Sequence, residues 1–417
     1  MNKMDKRRVV VTGMGALTPI GNNLGEFWEG LKAGRSGAAP ITYFDTTPFK
    51  TRFACELKNF DLKAHLDRKE IRTNDPYVQY ALVSTAEAIA DAGLDFSEVD
   101  PYRTGVIWGT GNGGIQSYYN EVVAYVQSNN VPRFNPYFIP KIIPNMASGV
   151  ISIKYGLKGV SFTPISACAT GNTALIEAMN YIQWGKADVI IAGGSDAAIN
   201  EPGIAGFNAS KALSTRNDDP EHASRPFDKN RDGFVMGEGS GTLILEELEH
   251  AQERGAQIYA EVVGGAMTSD AYHLTATHPE GEGARRAIQL GLEDAGLTFE
   301  DVDYVNMHAT STPLGDISEL QALNAVLDGP SPKISATKSM TGHLLGGAGA
   351  IEGIASIMAL KHQFVPPTIN TTELDEEVPS NLDIVIGQGE SADLDVAISN
   401  TFGFGGHNAI VVLKRFV

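Results

Sequence analysis

Cysteine and basic residues are scarce in this chain of 417 residues, and long apolar runs are missing. The only cysteines, Cys55 and Cys168, are too few for a disulfide framework or a cysteine-rich zinc site and indicate the reducing cytoplasm. With 32 Lys and Arg against 50 Asp and Glu, the net charge of −18 argues against binding to nucleic acid or anionic membrane. No stretch approaches the ~18 apolar residues of a membrane span, and no signal-peptide core follows the charged N-terminus. The composition predicts a soluble, cytoplasmic protein.

Apolar residues make up 42% of the chain, which is enough for a sizeable core. Short, nearly unbroken apolar runs predict strands buried on both faces of a sheet, at 9–12, 106–108, 189–192 and 396–399. Helical patterns lie between them, at 75–93, 173–184, 281–296 and 348–362. Alternation of this kind is typical of a layered α/β fold.

A coarse internal repeat relates the two parts of the chain. Segments 166–175 and 341–350 each open a helix with small residues, and 233–245 parallels 403–413. Aligned in this way, the repeat places His343 opposite Cys168. We predict two similar α/β halves, residues 1–256 and 257–417, with the chemistry where they meet.

Cys168 is the candidate nucleophile because it lies between an extended run and a helix that begins within a few residues. The positive end of a helix dipole favours the thiolate, so we expect a lowered pKa for this thiol. The small neighbours Ala167, Ala169 and Gly171 would let a substrate carbonyl approach free backbone N–H groups. The alternative is an inert, buried cysteine, which is also our interpretation of Cys55.

Two of the nine histidines stand in settings that suit catalysis. His308 follows a strand at the point where a loop rich in hydroxyls begins, and open α/β sheets bind ligands at the carboxyl ends of their strands. His343 lies just ahead of the glycine-rich start of the 348–362 helix. Since a thiolate commonly works with a nearby imidazole, Cys168, His308 and His343 form the predicted catalytic group.

Metal and nucleotide signatures are missing from the sequence. No H-E-x-x-H pair of zinc-binding histidines occurs, and Gly13-Met14-Gly15 lacks the third glycine of a dinucleotide-binding loop. A phosphate-binding G-x-x-x-x-G-K-[ST] loop is missing as well. We therefore expect no metal site and no resident cofactor.

In these motifs the chain resembles the β-ketoacyl-acyl-carrier-protein synthases, most closely the elongating type II condensing enzymes of fatty acid synthesis. The resemblance extends from Val9 to Asn408 and includes the Cys168 turn, the His308 loop and the segments 225–235, 269–273 and 338–343. It implies a thiolase-like fold of two pseudo-symmetric, five-stranded halves in α-β-α-β-α layers, assembled as a homodimer. The implied acyltransferase condenses acyl-carrier protein with malonyl-carrier protein, releasing carbon dioxide. The phosphopantetheine arm belongs to the carrier.

The resemblance also implies roles for single residues. Cys168 would take the acyl chain as a thioester, while His308 and His343 hydrogen-bond the malonyl thioester carbonyl. Lys338 matches the family's active-site lysine, and Phe404 matches its gating aromatic residue. The implied substrate-binding residues are Thr310, Thr312, Asn112, Phe207 and Glu352. The implied docking residues for the acyl carrier protein are Arg68, Lys69, Arg72 and Lys211, for which an ordinary charged surface is the alternative.

Asn112 departs from the family pattern, which commonly has an apolar residue of the acyl pocket at this position. A polar side chain needs a hydrogen-bond partner and would disfavour a long saturated chain. Two alternatives stay open: a condensing enzyme of a specialised polyene or polyketide-type pathway, and a non-catalytic subunit analogous to a chain-length factor. The presence of Cys168, His308 and His343 together argues against the second.

Overall fold

The computed structural model describes residues 6–417. The strands are β1 (Val9–Leu17), β2 (Ala39–Pro40), β3 (Phe53–Ala54), β4 (Thr104–Gly109), β5 (Ser161–Phe162), β6 (Val189–Asp196), β7 (Gly239–Glu247), β8 (Ala260–Ser269), β9 (Tyr304–Asn306), β10 (Lys333–Ser335), β11 (Phe364–Val365), β12 (Asp383–Ile384), β13 (Glu390–Ser391), β14 (Val396–Gly403) and β15 (His407–Arg415). The helices are α1 (Leu24–Lys32), α2 (Arg68–Thr73), α3 (Pro76–Ala92), α4 (Ile115–Gln127), α5 (Phe138–Ile142), α6 (Met146–Tyr155), α7 (Thr170–Gln183), α8 (Glu201–Ala209), α9 (Leu248–Glu253), α10 (Glu282–Ala295), α11 (Pro313–Asn324), α12 (Lys338–Thr341) and α13 (Ala348–His362).

The main sheet has 11 strands in the order β12-β10-β9-β14-β15-β8-β1-β7-β6-β4-β5. Read outward from the centre, β1-β7-β6-β4-β5 and β8-β15-β14-β9-β10 show the same sequence of antiparallel and parallel pairings. Among residues 6–417, the strand pairing between the two sets consists of Val10 with Glu261 and Val11 with Ala260. The fold therefore consists of two pseudo-symmetric halves, and β12 is an additional edge strand in the second.

Alternation of side chains along the strands builds the layers. In β7, Leu243 packs with the central helices α7 and α13, whereas Ile244 packs with α3 and α6. In β15, Val411 packs with the same central helices, and Val412 packs with α10 and α11. Neighbouring residues of a strand point to opposite faces, so both faces of each sheet are covered. The order α3/α6, sheet, α7/α13, sheet, α10/α11 confirms the predicted α-β-α-β-α layering.

Capping residues explain why the long helices lie close to their predicted ranges. The Asp75 side chain accepts the Tyr77 N–H ahead of α3, and Gly93 ends this helix with a φ of 58°. Gly281 and Gly296 flank α10 in the same left-handed conformation. Helix α13 has the predicted bounds, and α7 begins a few residues earlier than predicted.

The internal repeat has a different register from the one that the sequence alignment predicts. Helices α7 and α13 each follow a single 3-10 turn, Ala167–Ala169 and Leu345–Gly347. The first residue of each turn has a positive φ, 50° in one and 53° in the other. Cys168 is therefore equivalent to Gly346 and not to His343, so the predicted register of the repeat was wrong, although Cys168 and His343 do line the same cavity. Runs of small residues permit several alignments, whereas the backbone of the two turns permits one.

One of the connections that differ between the halves is the link between the two antiparallel strands beside the nucleophile turn. A tight turn at 404–406 joins β14 to β15, but residues 197–238, which include α8, lie between β6 and β7. The predicted division at residues 256 and 257 falls in the loop between α9 and β8, and it stays a prediction. In the part of the chain that the structure describes, no helix is long and apolar enough to span a membrane.

The crossing of α7 and α13 gives a test of the fold. A Cβ atom at Gly171 would lie 2.5 Å from the Ala350 backbone nitrogen, so Gly171→Ala must push the helices apart. We expect it to lower the free energy of unfolding by about 1–3 kcal/mol. The matched control is Gly206→Ala in α8, where nothing beyond the helix's own backbone lies within 4 Å of the added carbon and a gain of about 0.5–1 kcal/mol is expected. Urea unfolding measures both, and equal effects would contradict the close crossing.

Candidate active site

A cavity of about 320 Å³ at the carboxyl ends of β9 and β14 contains Cys168, His308 and His343. Its walls come from 207–212 in the first half and from 270–277, 308–315 and 402–408 in the second. The cavity therefore lies where the halves meet, as the sequence predicts. It also contains the predicted residues Phe207, Thr310, Thr312, Phe404 and Lys211.

Cys168 is the middle residue of the 3-10 turn ahead of α7 and is half-buried. Ala167 before it has a φ of 50°, a left-handed conformation that is strained for a residue with a Cβ atom. Gly403 at the end of β14 packs on this turn, and a Cβ atom there would lie 2.4 Å from the Ser166 carbonyl oxygen. Only glycine lets the end of β14 approach the nucleophile so closely.

Burial raises the pKa of the Cys168 thiol to about 12, and the Asp196 charge acts in the same direction. The Lys338 charge and the backbone N–H groups of Phe404 and Cys168 lower this pKa without overcoming the burial. The expected lowering by the helix dipole was wrong, because the loss of water outweighs it. The thiol is protonated at neutral pH, so its attack requires removal of the proton as the new bond forms.

A buried cation sets the tautomer of His308. Lys338 Nζ lies 3.3 Å from His308 Nδ1 and also donates to Glu352 Oε1. An ammonium group only donates, so His308 Nδ1 accepts and the proton of the neutral ring is on Nε2. Burial and the Lys338 charge hold the pKa of His308 well below its usual value. The ring is therefore an uncharged N–H donor.

His343 packs edge-on against His308, with ring centroids 5.2 Å apart and ring planes at 89°. Burial and the Lys338 charge hold the pKa of His343 well below its usual value. Its backbone N–H donates to the Val235 carbonyl at 2.8 Å, and the Phe234 ring lies 5.3 Å away. Two neutral imidazoles beside one thiol suit hydrogen-bond donation to a developing oxyanion.

Glu352 on α13 lies outside the cavity lining of residues 6–417 and holds Lys338 in place from behind. Both side chains are almost fully buried. Burial raises the pKa of Glu352 to about 7, although the Lys338 charge lowers it. The pair holds the Lys338 ammonium group next to His308.

Glu319 on α11 fixes the His308 loop, and sequence reasoning missed it. Its carboxylate accepts the backbone N–H groups of His308 at 2.9 Å and of Ala309 at 2.8 Å, and Asn400 Nδ2 at 3.0 Å. Burial raises the pKa of Glu319 to about 7. The only signal for it in the sequence was an acidic residue inside an apolar helical stretch, 317–323.

Thr310 and Thr312 line the cavity, with hydroxyl oxygens 3.2 Å apart. Ser311 between them has a φ of 71°. The buried Asp316 carboxylate accepts the N–H groups of Ser311 at 3.1 Å and of Thr312 at 3.2 Å, which fixes the loop. Two hydroxyls on a fixed loop can bind the amides of an extended arm.

Phe404 is half-buried in the turn between β14 and β15. Gly405 and Gly406 after it have φ values of 88° and 76°, which favour glycine. Its ring lies 6.2 Å from that of Phe207, so these two rings form an apolar wall. The backbone N–H of Phe404, in the turn between β14 and β15, faces the Cys168 thiol.

Asn112 lies outside the cavity lining as the structure describes it for residues 6–417. Its Nδ2 donates to Asp196 Oδ1 at 3.2 Å, so the partner that its polarity requires is present. The substrate-binding role of Asn112 stays a prediction.

The predicted docking residues fall into two places. Arg68, Lys69 and Arg72 are exposed on α2, which contributes no lining to the described cavity, whereas Lys211 is exposed at the cavity itself. The structure of one chain does not bring the four together, and their docking role stays a prediction.

A thiolase-like fold with a cysteine and two histidines in one cavity defines a class, the condensing acyltransferases. Within this class, residues 6–251 match the family model Beta-ketoacyl synthase, N-terminal domain, and 259–372 match Beta-ketoacyl synthase, C-terminal domain. A 3-oxoacyl-[acyl-carrier-protein] synthase 2 of Synechocystis sp. is 49% identical over 418 residues, with 100% of each chain covered. The chain belongs to the β-ketoacyl synthase family.

Solved structures show the same fold over the whole chain. The ishigamide ketosynthase/chain length factor has a TM-score of 0.93 at 35% identity, covering 99% of this chain and 100% of that one. A type II PKS ketosynthase, solved with its acyl-carrier protein, has a TM-score of 0.92 at 33% identity with coverage of 99% and 100%. The family likeness therefore extends across both halves.

Removing the buried cation should make the thiol less reactive. Lys338 lowers the pKa of Cys168, so Lys338→Met should raise that pKa and reduce the thiolate fraction at each pH. Alkylation of Cys168 by iodoacetamide, followed by mass spectrometry, should slow by about tenfold for each pKa unit. The double variant Lys338→Met/Glu352→Gln avoids an unpaired buried carboxylate. The control is Lys333→Met, at a half-buried lysine of β10 that pairs with Asp383 and Glu390 and does not line the described cavity. A pH profile identical to that of the wild type would contradict the electrostatic role.

Proposed function

We propose that the chain is a 3-oxoacyl-[acyl-carrier-protein] synthase that elongates fatty acids. One observation carries the proposal: the Cys168 thiol, the His308 and His343 imidazoles and the backbone N–H groups of Cys168 and Phe404 meet in one cavity. This set provides a nucleophile for acyl transfer and two separate groups of donors for two oxyanions.

In the first half-reaction, Cys168 Sγ attacks the thioester carbonyl of the acyl-carrier protein. The backbone N–H groups of Cys168 and Phe404 stabilise the oxyanion. The carbon–sulfur bond to the carrier breaks, and the proton of the Cys168 thiol ends on the released carrier thiol. The product is an acyl thioester on Cys168.

In the second half-reaction, malonyl-carrier protein loses carbon dioxide. The carbonyl oxygen of its thioester gains negative charge, which the N–H donors of His308 and His343 stabilise. The resulting carbanion attacks the acyl carbonyl on Cys168, a carbon–carbon bond forms, and the Cys168 thiolate leaves and takes a proton from water. The 3-oxoacyl chain, two carbons longer, remains on the carrier.

The carrier protein brings the phosphopantetheine arm, so the proposed reaction uses no metal and no cofactor resident in the chain. Thr310 and Thr312 bind this arm at the mouth of the cavity, which their place on the Asp316-fixed loop supports. Docking of an acidic carrier to a chain of charge −18 requires local basic residues. Exposed Lys211 at the cavity supports a docking site there.

The chain acts as a homodimer in this proposal. Large exposed apolar side chains concentrate between residues 115 and 165: Tyr118, Val126, Val131, Phe134, Tyr137, Ile139, Ile153 and Ile165. Strand β5 in the same region ends the main sheet. A dimer in which a two-fold axis pairs β5 with its copy would cover both the apolar side chains and the strand edge.

A cytoplasmic location agrees with the two free cysteines.

A specialised polyene or polyketide-type pathway is the second candidate. The likeness to a ketosynthase of a type II PKS favours it. The reaction steps would be the same, and the preferred acyl chain would differ. Cys168, His308 and His343 together still argue against a non-catalytic subunit.

Mass spectrometry of the intact protein tests the covalent step. Incubated with acyl-carrier proteins of varied length and saturation, the wild type and Cys55→Ser should gain one acyl group, whereas Cys168→Ala should gain none. Release of 3-oxoacyl product on addition of malonyl-carrier protein completes the test. A saturated preference supports fatty acid elongation, a polyene preference supports the second candidate, and failure of every donor to load Cys168 rejects both.

Light scattering after size exclusion tests the dimer. Ile153 on α6 is 79% exposed in the single chain, and Ile153→Lys should convert a dimer into monomers. Leu290 on the outer helix α10 is 41% exposed and serves as the control, since Leu290→Lys should leave the dimer intact. A monomeric wild type, or an Ile153→Lys variant that stays dimeric, would exclude this interface.

A further inference from the structure

Asp196 is the last residue of β6 and is fully buried. Its carboxylate accepts five hydrogen bonds: from Thr110 Oγ1 at 3.0 Å, Gly111 N at 2.9 Å, Asn112 N at 3.1 Å, Asn112 Nδ2 at 3.2 Å and Gly346 N at 2.6 Å. A buried charge is tolerated only when its hydrogen-bonding capacity is used in this way. The reaction proposed above uses none of these contacts.

The five donors come from both halves of the molecule. Residues 110–112 follow β4 in the first half, and Gly346 belongs to the 3-10 turn ahead of α13 in the second. The two segments touch, since a Cβ atom at Gly346 would lie 2.3 Å from the Gly111 nitrogen. They also border the nucleophile turn, because a Cβ atom at Gly111 would lie 3.7 Å from the Ala167 carbonyl oxygen.

Pseudo-symmetry shows which positions in the active site correspond to Asp196 and Gly346. Gly346 is the equivalent of Cys168 in the second half, because each is the middle residue of the turn ahead of a central helix. Asp196 is the equivalent of Gly403, because each ends a strand of 8 residues in the same place in its sheet. A Cβ atom on Gly403 would lie 3.1 Å from the Cys168 nitrogen.

The residues at these two equivalent positions therefore have opposite effects on the N–H group of the neighbouring turn. Gly403 has no side chain and leaves the Cys168 N–H free for a substrate oxyanion. Asp196 places a carboxylate on the Gly346 N–H, so this turn holds an internal anion. An oxyanion-binding turn and a carboxylate-binding turn need the same backbone geometry.

We propose that Asp196 is a positioning residue: its carboxylate binds the Gly346 N–H in the equivalent turn of the second half and thereby fixes the conformation of the Cys168 turn. We call the five hydrogen bonds of Asp196 the lock. The lock ties 110–112 to Gly346, and both segments border the Cys168 turn, whose Ala167 is held at a strained positive φ. This inference rests on Cys168 being the acyl acceptor of the proposed function.

The nearly isosteric variant Asp196→Asn removes the charge and one acceptor, and it sets an NH₂ group against N–H donors. With the turn loosened, kcat for acyl transfer to Cys168 should fall on the order of ten- to a hundredfold, while KM for the acyl-carrier protein changes little. Loss of the nearby charge should also shift the pH profile of Cys168 alkylation by iodoacetamide to lower pH. The control is Asp188→Asn, at the opposite end of β6, which should match the wild type in both measurements.

Thr110→Val keeps the Asp196 charge and removes one of its five hydrogen bonds, together with the bond that Thr110 Oγ1 accepts from the Gly113 N–H. It decides the question if Asp196→Asn fails to fold. It should reduce kcat by a smaller factor at unchanged KM. A Thr110→Val kcat equal to that of the wild type, or a folded Asp196→Asn variant with wild-type kcat and alkylation profile, would overturn the proposal. The alkylation profile needs no acyl donor, so failure of the proposed function, an unacylated wild type, is distinguishable from failure of the lock.

Discussion

The close crossing of α7 and α13 is the constraint on which the active site depends. A Cβ atom at Gly171 would lie 2.5 Å from the Ala350 nitrogen, and one at Gly349 would lie 2.5 Å from the Asn172 nitrogen. The backbones are therefore in contact, and the turns that precede the two helices come to lie side by side. Because α7 and α13 are equivalent helices, their crossing lies where the two pseudo-symmetric halves meet. A site between the halves follows from it.

Burial at this junction decides the charges of the catalytic groups. Removal from water favours the neutral forms of Cys168, His308 and His343, and the Lys338 cation reinforces this for both histidines. The cavity therefore holds donors without net charge, while the Lys338–Glu352 pair keeps its charge behind them. Such a site favours a reaction in which charge appears on substrate oxygens only transiently. Decarboxylative condensation is a reaction of this kind.

Local patterns in the sequence predicted what depends on local physics. Caps such as Asp75 and Gly93 and the unbroken apolar strands predicted the α/β alternation and, to within a few residues, the ends of the four predicted helices. Cys168 and His308 were predicted from their positions between a strand and a loop or helix. The contacts of Glu319 and Asp196 could not be predicted, because their partners lie in other segments that only the folded chain brings together. The thiol pKa was misjudged for the same reason, since burial is a property of the whole fold.

A duplicated scaffold has two equivalent turns, yet only one of them carries a nucleophile, and a difference in connection explains why. After β14 the chain turns back within 404–406, which keeps Gly403 and the Phe404 N–H against the Cys168 turn. After β6 the chain leaves through 197–238, and α8 of this insertion supplies the Phe207 wall of the same cavity. The long connection thus builds the acyl side of the site in the first half, while the short one builds the oxyanion side in the second. The different lengths of the connections 197–238 and 404–406 therefore explain why a pseudo-symmetric fold has one active site per chain.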